Sequence, residues 1–290
     1  MHQAFVASAT LKPMARQLLQ DRTPAAYAGV ETYASRHAKE DAGSLAWLVL
    51  GYAHTLDHDF PKAIDAFSRA KLHAGDLGDY VNFYLGNAYF QAGRTAEAVA
   101  TLGEFEKNYP ESLLIRDAHV LYAHALIGDG RSQEAMDALE KDRQPTRVDV
   151  ELALGKAYEA AGQNAKAVPI FRNIYYHMPL SGEAAQADAE LKKLAMAGAV
   201  PPPSLSDRRT RADLLARGRR YGDAANEYHD VVDEVSPADR PEIQLALAVN
   251  LRKSGQGREA KKVLESMPNG PAEVNAEAIP PWTNGHSSNQ

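Results

Sequence analysis

The 290-residue chain contains no cysteine and only two tryptophans. Without cysteine there is no disulfide framework, no thiolate metal site and no cysteine nucleophile. Long apolar runs are missing too. The longest, from Leu45 to Ala53, is interrupted by Gly51 and Tyr52 and falls far short of the about 20 residues a spanning helix needs, which excludes a membrane span. Basic charge is not in excess: the formal net charge is -6, against the basic field of a general nucleic-acid binder. The opening Met1-His2-Gln3-Ala4-Phe5 lacks the Lys/Arg start, apolar stretch and small-residue cleavage site of a secretory signal. Read as written, it leaves the chain in the cytoplasm. No Gly-rich phosphate loop, G-x-S-x-G elbow or H-E-x-x-H helix occurs, so no catalytic residue, metal or cofactor is implied.

What the chain has in abundance is alanine, 50 residues of it, arranged with a period. A first helix carries a Leu-Gly or small pair with an aromatic residue nearby. A loop follows, then a second helix with alanine and a bulky residue four positions on. The copies read Trp47, Leu50, Gly51, Ala63, Phe67, Ala70; Leu85, Gly86, Tyr89, Ala98, Leu102, Pro110; Tyr122, Ala123, Leu126, Ala135, Leu139; and Leu154, Gly155, Tyr158, Ala167, Phe171, Pro179. The small residues lie where a neighbouring helix crosses too closely for a larger side chain, and the phenylalanines fill the space beyond. Gly93, Gly130 and Gly162 stand where the first helices should end in a left-handed residue. Pro110 and Pro179 should end second helices, which proline cannot continue.

Equivalent positions Leu50, Leu85, Tyr122 and Leu154 lie 35, 37 and 32 residues apart, around the roughly 34-residue tetratricopeptide period, and the residue types resemble its W-x2-L-G-x2-Y…A-x3-F…P pattern. Two-residue alternation is absent, which predicts no sheet. The expected fold is all-α, a tetratricopeptide-like right-handed α-solenoid of stacked helix pairs. Residues 1–197 should hold four such pairs after an irregular opening pair, from Phe5 to Leu19 and Ala25 to His37. Residues 198–206 form a proline-rich connector. Residues 207–267 should add two further pairs, marked by Ala212, Leu215, Ala224 and Tyr228, then Leu247, Ala248, Leu251, Ala260 and Leu264. The proline-rich residues 268–290 read as a disordered tail, or as a longer protein interrupted near Glu277.

Few side chains suggest chemistry. His54 and His58 are four apart, yet a metal needs a third ligand, and the pair reads as a solvated turn at a helix end. His119 and His124, five apart, face different directions. Arg208, Arg209, Arg211, Arg217, Arg219 and Arg220 form the densest charge. They would suit a polyanion, but read better as the solvated face of a helix opposite Asp230, Asp233 and Glu234.

Stacked tetratricopeptide-like pairs line a concave surface with their first helices. The groove positions of that family fall on Tyr52, Phe83, Asn87, Phe90, His124, Lys156 and Glu159, a mixture of rings and polar tips suited to an extended peptide or glycan strand. A more specific resemblance lies in Tyr175-Tyr176-His177-Met178-Pro179-Leu180-Ser181-Gly182-Glu183-Ala184, followed by Ala189 to Leu194 and by Arg208 to Leu215 with Arg220-Tyr221. These runs resemble the superhelical region of soluble lytic murein transglycosylases, over roughly residues 4–277. The resemblance implies a periplasmic protein and a peptidoglycan strand as partner. It brings no catalytic residue, because Glu111-Ser112 and Glu265-Ser266 lack the downstream Gly-Leu-Met-Gln stretch of that family's catalytic domain. Two functions follow: a non-catalytic superhelical scaffold for peptidoglycan, or a stand-alone adaptor that binds a peptide segment of a partner protein.

Overall fold

The computed structural model describes residues 9–198 and 200–267, and among them every regular element is helical. The anticipated tail, 268–290, and Phe5 lie outside the described residues. The chain divides into two compact units between Gln163 and Asn164.

In the first unit α1 (Leu11–Asp21) and α2 (Pro24–Arg36) make the opening pair. There follow α3 (Asp41–Leu56) with α4 (Phe60–Lys71), then α5 (Gly78–Gln91) with α6 (Thr95–Leu102) and the single turn α7 (Phe105–Asn108). The remaining helices are α8 (Ile115–Gly128), α9 (Ser132–Lys141) and α10 (Val148–Ala160). Within a pair the two helices cross closely at small residues. A Cβ built on Gly51 would lie 2.4 Å from Cε1 of Phe67, and one on Gly86 would lie 2.6 Å from Cγ of Leu102. Phe67, Ala63, Ala98 and Ala135 have no exposure at all, as the repeat pattern requires. One expectation is corrected here. The second helix of the second pair does not run to Pro110 but breaks after Leu102, and Phe105 of the short α7 is fully buried beside Leu102 and Ala118.

In the second unit α11 (Asn164–Arg172) runs into a π turn (Asn173–His177), and α12 (Ala184–Met196) follows. Two further pairs are α13 (Leu205–Arg217) with α14 (Tyr221–Val231), and α15 (Arg240–Lys253) with α16 (Gly257–Ser266). Ala212, Leu215, Ala224, Tyr228, Val231, Ile243 and Leu247 form their core. The proline-rich segment is tied down on both sides: Arg172 donates to the carbonyl of Pro201, and His177 bonds Asp207 at 3.2 Å. These ties hold it within the second unit, so the boundary between units lies at 163/164 rather than at the segment.

In the six pairs after the opening one, the turn from first to second helix has one geometry. His58, Gly93, Gly130, Gly162, Arg219 and Gly255 all have positive φ, at 58°, 73°, 77°, 72°, 61° and 87°. Each stands two residues before the next helix. The residue after it donates back across the turn: Asp59 to His54, Arg94 to Tyr89, Arg131 to Leu126, Gln163 to Tyr158, Arg220 to Leu215 and Gln256 to Leu251, all at 2.8–2.9 Å. This is the Schellman closure, which satisfies carbonyls the helix end leaves open. Glycine marks four of the six turns. His58 and Arg219 occupy the same conformation without it.

Candidate functional site

All seven groove candidates lie on first helices of the first unit: Tyr52 on α3, Phe83, Asn87 and Phe90 on α5, His124 on α8, and Lys156 and Glu159 on α10. They follow from the helical register. Gly51, Gly86, Ala123 and Gly155 are buried. The residue after each (Tyr52, Asn87, His124, Lys156) turns about 100° away from that buried seam.

At the α3–α5 end the face is aromatic. Tyr52 is 39% exposed, and its ring meets Tyr84 edge-on at 5.6 Å, while Tyr84 meets Phe83 edge-on at 5.4 Å. Edge-to-face pairs of this kind hold rings in fixed orientation. Tyr80, 43% exposed, and Leu56, 42% exposed, extend the apolar area. Phe83 itself is half-buried against the cluster of Leu102, Phe105 and Ala118, so much of its ring serves the core. Asn87 is half-buried on α5.

From α5 to α10 the face becomes polar. Phe90 stacks on His124 at 6.3 Å. Burial pushes the His124 imidazole below its usual pKa, the Lys156 ammonium pushes it further, and Asp149 pulls the other way, so the ring is neutral at pH 7. Arg147 clamps two helices by donating to Asp117 of α8 at 2.6 Å and, through Nε, to Asp149 of α10 at 3.0 Å. Burial works against the Asp149 carboxylate, but the bond and charge of Arg147 hold it below its usual range. Lys156 and Glu159 are half-buried on α10. Sequence reasoning missed Tyr80, Tyr84 and this clamp. The helical offset that selected Tyr52 and Asn87 would have found the tyrosines. The clamp joins residues about 30 apart through a loop arginine and leaves no periodic signal.

The histidine pairs are separated. His54 stacks on Tyr27 at 4.4 Å, whereas His58 sits in the left-handed turn with its ring edge against Phe60. His119 bonds Asp142 and lies 3.4 Å from Glu106, away from His124. Among the described residues no three His, Asp or Glu side chains converge as a metal site would need.

Four of the six clustered arginines, three on α13 and Arg220 in the turn after it, pair with carboxylates of the second unit. Arg208 reaches Glu234 at 2.6 Å, Arg209 reaches Glu242 at 2.5 Å, and Arg220 reaches Asp223 at 2.6 Å. Arg211 corrects the expectation of a solvated face. Its side chain is 14% exposed, pairs with Glu227 at 2.7 Å and lies 3.7 Å above the Tyr175 ring.

Comparison with known proteins agrees with this architecture. Residues 80–112, which span α5 to α7, match the tetratricopeptide repeat family model. A tetratricopeptide repeat protein from Parabacteroides merdae superposes with a TM-score of 0.51 at 13% identity, covering 93% of this chain and 96% of that one. The nearly identical TPR-like repeats of a kinesin light chain protein from Podosopora anserina superpose with a TM-score of 0.50 at 19% identity, covering 59% of this chain and 97% of that one. No curated protein matches the sequence. No described helix is long and apolar enough to cross a membrane. The chain is an all-α array of tetratricopeptide-like helix pairs.

Proposed function

We propose that the chain is a protein-binding adaptor that holds an extended peptide segment of a partner along the first-helix face of α3, α5, α8 and α10. The observation that carries this reading is the graded face itself. Exposed rings (Tyr52, Tyr80) stand at one end, and a neutral imidazole beside a lysine and an Asp-Arg-Asp clamp at the other. Rigid rings supply contact area at low entropic cost, and fixed polar groups set register and direction. The test is selection of peptides from a displayed library on the whole chain, followed by titration. Tyr52→Ala and Lys156→Ala should each weaken a selected peptide about tenfold, as loss of an anchor does, with the fold intact by circular dichroism. Selected peptides that bind both variants unchanged would refute the assignment.

A second reading rests on the Tyr175–Ala184 segment. Here Tyr175 meets Tyr176 edge-on at 4.8 Å under the guanidinium of Arg211. On this reading the chain is the non-catalytic scaffold of a periplasmic peptidoglycan enzyme. Retention on purified peptidoglycan sacculi, with no muropeptide released, supports it. Absence of retention leaves the adaptor reading alone.

A further inference from the structure

The aromatic end of the peptide face differs in chemistry from the rest of it. We propose, resting on the adaptor reading above, that the strip formed by α3 and α5 receives an uncharged, proline-rich segment of the partner in the polyproline II conformation.

The strip has almost no charge of its own. Helices α3 and α5 span 16 and 14 residues, in a chain of which 24% is charged. They contain no lysine or arginine, and their acidic residues are Asp41, in the first turn of α3, and Asp79. Asp79 is engaged, accepting from the Ser112 hydroxyl at 2.6 Å. His54 is turned to Tyr27, on which it stacks, and is held below its usual pKa, first by burial. A charged side chain laid on this strip would lose its water and meet no opposite charge. Further along the face, α8 and α10 carry Asp117, Asp149, Lys156 and Glu159, so the uncharged stretch is confined to the aromatic end.

Backbone chemistry narrows the occupant further. The carbonyls in the middle turns of α3 and α5 are spent within the helices. An extended segment pressed against the rings would therefore bury N–H groups with no carbonyl to receive them, which is costly. Proline has no N–H to bury. A polyproline II helix makes no internal hydrogen bonds and keeps its carbonyls open to outside donors. Donors are present: the hydroxyls of Tyr52 and Tyr80 and the amide of Asn87 bond no other described residue. The Tyr84 hydroxyl is pushed above its usual pKa, first by burial and then by its neighbours Tyr52 and Tyr80, so it keeps its proton at pH 7 and lies close to theirs.

The spacing suits the same occupant. Tyr80, Tyr84, Asn87 and Gln91 recur at helical intervals along one face of α5, and Tyr52 and Leu56 along one face of α3. The Tyr84 ring lies parallel to the fully buried Phe67 at 6.0 Å and meets Tyr52 edge-on, which anchors the exposed rings to the core. Residues three apart in polyproline II are separated by about 9 Å, and packed helix axes by about 8–10 Å. Prolines one turn apart thus fall on the rings of α3 and α5 in succession.

The test is fluorescence anisotropy with the whole chain and a labelled nonapeptide, Ala-Pro-Pro three times over. Its control has serine in place of every proline. The proline peptide should bind about tenfold more tightly than the control, and added salt should leave binding unchanged, since no charge contributes to it. Tyr52→Ala and Tyr80→Ala, both altered at exposed positions, should each weaken it about tenfold, with helix content intact by circular dichroism. Met196→Ala, at an exposed apolar residue of α12, should bind as the unaltered chain does, and a soluble N-acetylglucosamine tetramer should not compete. Equal binding of both peptides, binding of neither, loss of binding in salt, or unchanged binding by the tyrosine variants would overturn the proposal. Equal weakening in Met196→Ala would do so by showing generic apolar adhesion, and competition by the tetramer by assigning the strip to a glycan. Library peptides that depend on Tyr52 yet carry no proline would overturn this proposal and leave the adaptor reading standing, whereas a library that yields no binder would remove both.

Discussion

His124 shows how one side chain links the candidate face to stability. Its folded pKa lies below the ordinary value because burial and then Lys156 disfavour the imidazolium. The unfolded chain, with histidine near 6.5, therefore binds more protons than the folded one at low pH. The stability this ring contributes is complete above about pH 6.5 and is lost as the pH falls toward the folded value. The melting temperature should drop between pH 7.5 and pH 5, and the drop should be smaller in His124→Gln. Backbone conformation sets a different residue-scale constraint. Arg219 has φ 61°, and Gly130, at φ 77°, has nothing within 4 Å of a built Cβ. Arg219→Gly should raise stability by about 0.5–1 kcal/mol and Gly130→Ala should lower it by a similar amount, both read from urea midpoints. The left-handed Gly93, Gly130 and Gly162 were legible in the sequence. His58 and Arg219 were not, because nothing in their chemistry announces a positive φ.

Between elements, stability rests on close crossings and a few enclosed charges. Gly51 faces the fully buried Phe67 with a built Cβ at 2.4 Å. The ring has no room to retreat, so Gly51→Ala should cost about 1–3 kcal/mol by overpacking, measured by chemical denaturation. Glu151 of α10 is 7% exposed and takes two bonds from Arg143, at 2.8 and 3.0 Å, in the connection after α9. Arg143→Met leaves that carboxylate without its main partner and should cost roughly 1–3 kcal/mol, while adding Glu151→Leu should recover part of the loss. A double-mutant cycle in urea measures both. The helix pairs themselves were readable because alanine, glycine and phenylalanine repeat at crossing points. Glu151 was not, since it stands at the position where the first pair has Trp47, and a lone charge in a sequence reads as surface. Arg211 escaped for the same reason, its burial being made possible by Tyr175 and Glu227.

Along the whole chain, burial is uneven. Helix α10 buries seven residues, Val150 to Gly155 and Ala157, whereas α16 buries Ala260 alone. Local opening follows such differences. Amides of α16 should exchange with deuterium fastest among the helices named here, and those of α3, α5 and α10 slowest. Protection of α16 equal to that of α10 would contradict this ordering. The candidate face was legible in part because its positions follow from the repeat. Its polar half depends on Arg147, outside the helices.

The common turn has a consequence for how such a chain can change length. In the pairs after the opening one, the connection from first to second helix is one left-handed residue and one bonded neighbour, so the unequal repeat spacings of 35, 37 and 32 residues come from elsewhere. The second helices absorb them: residues 60–71, 95–108 (α6 with α7) and 132–141 differ in length, whereas the connections that follow, residues 72–77, 109–114 and 142–147, are equally long. Gene rearrangements that add or delete codons would survive at the C-terminal ends of the second helices, where no closure bond must be remade. The same change inside a turn would rotate every later helix about its axis and bury the wrong side.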